Sequence, residues 1–104
     1  MNHKPLQTLH HVAIEVTDIE RAIEWYTSRF ACEVQYRDAT WALLKFANIH
    51  LALVTPGQHP PHIALSDEHA TDYGALTLHR DGTRSIYIED SEGNAVEVMQ
   101  SQSG

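Results

Sequence analysis

A chain of 104 residues, 42% hydrophobic and 20% charged, has room for one compact domain and enough apolar content to fold. That excludes a conventional two-domain enzyme and a disordered chain. Seven basic against fourteen acidic residues leave a net charge of −7 with no Lys/Arg cluster, which disfavours nucleic acid and anionic membrane surfaces as partners. No apolar run approaches the roughly 18–20 residues that cross a bilayer. The opening Met1-Asn2-His3-Lys4-Pro5 lacks the apolar core of a signal peptide, and the single Cys32 cannot form an internal disulfide. Together these features point to a reducing, cytoplasmic location. Histidine is over-represented, with eight residues at positions 3, 10, 11, 50, 59, 62, 69 and 79, and it is the commonest metal-ligating side chain.

In chain order, Leu9–Thr17 alternates. Val12, Ile14 and Val16 form an apolar face, while His11, Ala13 and Glu15 form a polar or small one, which is strand periodicity. Thr17 or Asp18 can cap a following helix, and Thr17-x-x-Glu20 has capping-box spacing. Ile19, Ala22, Ile23, Tyr26 and Phe30 then share one helical face. Glu33–Arg37, Trp41–Phe46 and Ile49–Val54 read as strands joined by short turns. Thr55–Pro61 is rich in breakers.

After it, His62-Ile63-Ala64-Leu65 repeats the pattern of His11-Val12-Ala13-Ile14, shifted by 51 positions. Asp67 can cap a short helix ending near Tyr73-Gly74. Leu76–Arg80 and Ser85–Ile88 flank an Asp81-Gly82 turn, and Ala95–Gln100 is the last strand. Aligning Glu97 with Ala52 gives a shift of 45, so the second half is about six residues shorter, with the loss placed in its helix. The expected fold class is α+β. Residues 1–104 form one domain of two βαβββ modules, 8–55 and 61–101, joined by a linker at 56–60, with one curved mixed sheet and a shortened second helix.

Three strand residues are candidate metal ligands: His11, His62 and Glu97, each on the less apolar face of its strand. Two imidazoles and a carboxylate can bind one face of a divalent ion, the set used for non-haem Fe2+ and also accepted by Mn2+ or Zn2+. Spacing alone leaves a second reading open, in which they are ordinary solvated strand residues.

Leu9-His10-His11-Val12-Ala13-Ile14-Glu15-Val16-Thr17-Asp18, with Trp25-Tyr26, resembles the opening of a vicinal oxygen chelate module. Arg84–Glu97, with Tyr87-x-x-Asp90 and Gly93-Asn94…Glu97, resembles its closing motif. The resemblance spans about residues 9–100. It implies paired βαβββ modules curled into a cup, with ligand positions falling on His11, Ala52, His62 and Glu97. Three of the four can ligate. Alanine at 52 departs from the glyoxalase-type and epimerase-type pattern.

Thr77-Leu78-His79, Ile86-Tyr87 and Asp90-Ser91-Glu92-Gly93…Glu97 further resemble the extradiol ring-cleavage signature, which has proline where Ser91 stands. That likeness implies catalytic roles for His79 and Tyr87. The other readings are a solvated His79 beside its turn and a Tyr87 packed in the cup. His50 and Trp41 are candidate substrate contacts, with exposed-strand and core roles as their alternatives.

The resemblance implies a divalent ion, Fe2+ first and Mn2+, Zn2+ or Ni2+ also compatible, and a small-molecule substrate with adjacent oxygens. The functional expectation is a metal-dependent enzyme, with extradiol-dioxygenase chemistry ahead of a glyoxalase-type lyase or a fosfomycin-resistance-type transferase. A non-catalytic ligand binder of the bleomycin-resistance kind is the alternative class. A homodimer is expected, because a small chain gains from covering open sheet edges and exposed apolar surface.

Overall fold

The computed structural model describes residues 6–79 and 81–101. The reading of Met1–Pro5 and the last position of the expected 76–80 strand, Arg80, lie outside them.

β1 (Leu9–Glu15) leads into α1 (Ile19–Arg29), then β2 (Glu33–Arg37), β3 (Trp41–Lys45) and β4 (His50–Val54). The second half runs β5 (His62–Asp67), a 3-10 helix at Ala70–Tyr73, β6 (Thr77–Leu78), β7 (Arg84–Glu89) and β8 (Ala95–Gln100). All eight strands join one mixed sheet in the order β2-β3-β4-β1-β5-β8-β7-β6. Each half therefore uses the same strand order, and the halves meet at an antiparallel β1–β5 seam.

Asp18 caps α1, its carboxylate accepting from the Arg21 backbone N–H at 3.0 Å. Thr17 instead accepts from the Arg21 guanidinium, so the expected capping box does not form. Ile19 and Ile23 of the helix pack on Ala42, Leu44 and Leu53 of the sheet, with Ile14, Val16, Tyr26 and Cys32 around them. This core covers the outer face of the first half. Phe30, expected on that helical face, is the C-cap residue and is 49% exposed, because the helix stops at Arg29.

Asp67 does not cap a helix. It ends β5, and its carboxylate accepts from the His69 N–H at 2.8 Å, an Asx turn that competes with helix initiation. Only four residues of 3-10 helix follow. Gly74 closes them at φ +140°, a backbone conformation that favours glycine, and an added Cβ would also crowd Ile86 Cδ1 at 2.7 Å.

The β1 alternation resolves in an instructive way. His11 is 8% and Ala13 2% exposed, while Val12 and Ile14 are only partly buried. The less apolar face is the interior of the curled sheet.

Candidate metal centre

The register brings the three candidate ligands together. Across the seam His11 pairs with Ala64 and Ala13 with His62, and across β5–β8 Ala64 pairs with Glu97. His11, Ala64 and Glu97 thus form one cross-strand row, and His62 stands two residues from Ala64 on the same face. Ala64 is wholly buried, and its methyl leaves the gap over which His11 and Glu97 reach each other. That is the physical content of the repeated His-x-Ala pattern: a donor followed by a side chain too small to fill the floor.

His11 Nε2 lies 3.1 Å from His62 Nε2 and 3.2 Å from Glu97 Oε1, and His62 Nε2 lies 3.1 Å from the same Oε1. All three residues are buried, and together they form a cluster that can hold a metal ion. With ligand bonds of about 2.0–2.2 Å, donors at right angles stand about 2.8–3.1 Å apart and tetrahedral donors about 3.3–3.6 Å apart. The observed triangle is nearer the right-angled set, so the residues fit a divalent ion bound on one face.

Each candidate ligand is fixed through its other polar atom. His62 Nδ1 lies 2.7 Å from the Pro60 carbonyl, which can only accept, so Nδ1 carries a proton and Nε2 is the ring atom turned to the triad. His11 Nδ1 lies 2.8 Å from His10 Nδ1. With His11 ligating through Nε2, its Nδ1–H donates and His10 accepts. Burial, then the neighbouring His11 and His50, depress the His10 pKa, while Glu97 and Asp81 pull the other way. That net direction favours the neutral, accepting ring.

Glu97 Oε2 accepts from the Ser85 hydroxyl at 2.6 Å. Burial pushes the Glu97 carboxyl up, but hydrogen bonds from His11, His62 and Ser85 outweigh it and hold the group far below the ordinary carboxylate range.

The triad opens on a cavity of about 110 Å³. Trp41, Leu43, Ala52 and Val54 of β3 and β4 make one apolar wall; His59, His79 and Tyr87 line the other side. The Trp41 ring stacks on Tyr36 at 4.3 Å, and the Tyr36 hydroxyl donates to Asp38 at 2.6 Å. Tyr87 Oη sits 3.5 Å from His62 Nε2. Burial, the Glu97 charge and a hydrogen bond to Glu97 push its phenol far above the usual range, so it stays a donor. His79 Nε2 is 2.6 Å from Ser85 Oγ and 3.6 Å from Glu97 Oε2.

Of the expected site residues, His11, His62, Glu97, His79, Tyr87 and Trp41 all line this cavity. His50 is not among its lining residues; it stacks behind His10 with ring centroids 4.9 Å apart. Ser85, His10, His59 and the Pro60 carbonyl are participants that the sequence reading missed. The doublet His10-His11 was the one visible hint of the second.

No family model and no curated protein sequence matches the chain. Solved structures do match. A hypothetical protein from Bacillus halodurans C-125 superposes with TM-score 0.73 at 14% identity, covering 94% of this chain and 96% of that one. Methylmalonyl-CoA epimerase from Mycobacterium tuberculosis gives 0.70 at 19% identity, covering 95% and 91%. A glyoxalase/bleomycin resistance protein/dioxygenase superfamily member from Vibrio splendidus 12B01 gives 0.65 at 10% identity, covering 92% and 100%. The chain has the vicinal oxygen chelate fold.

Within that fold the two modules align as the repeat requires. Ala13 pairs with Ala52 in the first half and Ala64 with Glu97 in the second, so Ala52 occupies the Glu97 position of its module. The vicinal oxygen chelate cup of this chain therefore has one carboxylate-bearing wall and one methyl-bearing wall. Ala52 is 4% exposed and lines the cavity.

Proposed function

We propose that the chain binds one divalent ion through His11, His62 and Glu97 and acts on a small molecule with adjacent oxygens, with O2-dependent cleavage of a catechol ring as the leading reaction. The observation that carries this reading is the triangle of donor atoms, 3.1–3.2 Å on a side, set in the wall of a cavity. Such an ion, Fe2+ first, supplies a Lewis acid that gathers an oxygen pair and, with iron, a route for electrons.

The chain's own residues do the rest. Tyr87, held as a phenol, can turn its single proton from Glu97 to a ligand oxygen near His62. His79 has Nε2 committed to Ser85, so any proton it exchanges with a ligand moves through Nδ1. Trp41, Leu43, Ala52 and Val54 offer a hydrocarbon body a dry surface. The cavity is small, at about 110 Å³. A lyase or transferase using Mn2+, Zn2+ or Ni2+ is the second reading. It ranks lower because Ala52 supplies no ligand.

Elemental analysis of protein purified without added metal, then anaerobic loading with Fe2+ and a catechol panel given oxygen, tests the proposal. One equivalent of metal, lost in Glu97→Ala, and a ring-cleaved product are expected. Metal binding without oxygen uptake across the panel would sink the dioxygenase reading, and turnover of a thiol adduct or epoxide would promote the second. A purified protein holding and accepting no metal would leave ligand sequestration. A homodimer belongs to the same reading, with Leu9, Trp25, Ile63 and Leu78 each more than 40% exposed; sedimentation showing only monomer at micromolar concentration would remove it.

A further inference from the structure

Ser85 is 1% exposed and is among the largest fully buried side chains. A position packed that tightly between β6 and β8 suits an apolar residue, and a hydroxyl there costs free energy unless its hydrogen-bonding capacity is used. It is used on both sides. Ser85 pairs with Met99 and Tyr87 with Glu97 across β7–β8, so Ser85 is the diagonal neighbour of Glu97. A carboxylate accepts only, so the single Ser85 proton goes to Glu97 Oε2 at 2.6 Å. Ser85 Oγ must then accept from His79 Nε2–H, also at 2.6 Å. The direction of the whole chain, His79 to Ser85 to Glu97, is fixed by the carboxylate at its end.

The two oxygens of Glu97 consequently do different things. Oε1 faces both imidazoles at 3.1 and 3.2 Å; Oε2 is turned away to Ser85. We propose that Ser85 is a positioning residue that holds Glu97 as a one-oxygen ligand and ties that ligand to His79 in the cavity wall. The inference rests on the metal reading above. Its consequence is that Oε2 cannot swing toward the ion and occupy a position that a substrate oxygen needs. It also fixes the His79 ring as the Nε2–H tautomer, leaving Nδ1 as its other functional atom.

The test uses Co2+, whose visible absorption reports coordination number and symmetry, on wild type, Ser85→Ala, Ser85→Thr and Glu97→Ala. Affinity is measured by competition with a chelator, and each metal-free variant is first checked by its melting curve. Loss of an outer partner typically weakens metal binding 10–100-fold, so Ser85→Ala is expected to fall by that factor and to shift the Co2+ spectrum. Ser85→Thr keeps the hydroxyl and is expected to restore both, or most of the affinity if its extra methyl strains the packing. Wild type that binds Co2+ while Ser85→Ala binds within threefold of it, with the same spectrum, overturns the role of Ser85 and leaves the metal site standing. Wild type that binds no Co2+ overturns both readings together.

Discussion

Glu97→Gln tests the centre most sharply, because it changes charge while keeping shape. Glu97 Oε1 lies 3.1–3.2 Å from both imidazole Nε2 atoms, and Oε2 accepts from Ser85. The amide can keep its carbonyl toward the imidazoles and turn its NH2 to Ser85, so the contacts survive but lose their ionic character. Hydrogen bonds to a charged group contribute about 1.5–3 kcal/mol and neutral ones about 0.5–1.5 kcal/mol. Two weakened bonds, offset in part by relief of a buried charge, cost about 2 kcal/mol. For a domain near 100 residues that is a fall in Tm of about 8–16 °C. Metal at 100 times its Kd stabilises wild type by about 2.7 kcal/mol, or about 11–22 °C. If the amide weakens binding 100-fold, the same metal concentration equals the new Kd, and the gain shrinks to about 0.4 kcal/mol, or about 2–3 °C. The assay is a melting curve of each protein with and without Co2+ or Mn2+. A variant that keeps the wild-type metal-induced shift would refute Glu97 as a ligand, and an unchanged metal-free Tm would refute the charged network drawn around it.

Three further outcomes are expected. His10→Ala should weaken metal binding 10–100-fold by releasing His11 Nδ1, measured by chelator competition, with a smaller loss in His50→Ala. Ala52→Glu should restore a fourth ligand: tighter metal binding by the same titration, but a lower metal-free Tm because a second carboxylate then shares the buried site. Asp38→Ala should cost about 1–2 kcal/mol by stripping acceptors from the Thr40 and Trp41 N–H groups and Tyr36. Burial acts to raise the Asp38 pKa, but these bonds bring it to about 2 from 3.8, so its stabilisation is present above pH 3.8 and lost as pH falls toward 2. Tm of the variant should therefore depend less on pH than wild type across that window.

The parts of the site legible in the sequence were those that strand alternation carries. His11, His62 and Glu97 each sit opposite an apolar face, and period-two counting is enough to aim them at one side of a sheet. What counting could not supply is register. Ser85 is a neighbour of Glu97 only because β7 and β8 pair with Ser85 opposite Met99, and no local pattern sets that pairing. Pro60 read as a breaker, which it is, yet its carbonyl fixes the His62 ring. Asp67 was misjudged because the same carboxylate suits a helix cap and an Asx turn, and only the turn forms. His50 lay on the expected strand face, but the ring of His10 stands against it.

The antiparallel seam between β1 and β5 places one donor in the first half of the chain and two in the second. An ion held there spans two units that otherwise share a single ladder of backbone hydrogen bonds, and so acts as a clasp. Any fluctuation that parts the halves must first give up the ion, whereas fraying of α1, which packs wholly on the first half, need not. Amide hydrogen exchange should register the difference: metal should slow exchange in β1 and β5 in proportion to its occupancy while leaving the amides of α1 at their metal-free rates.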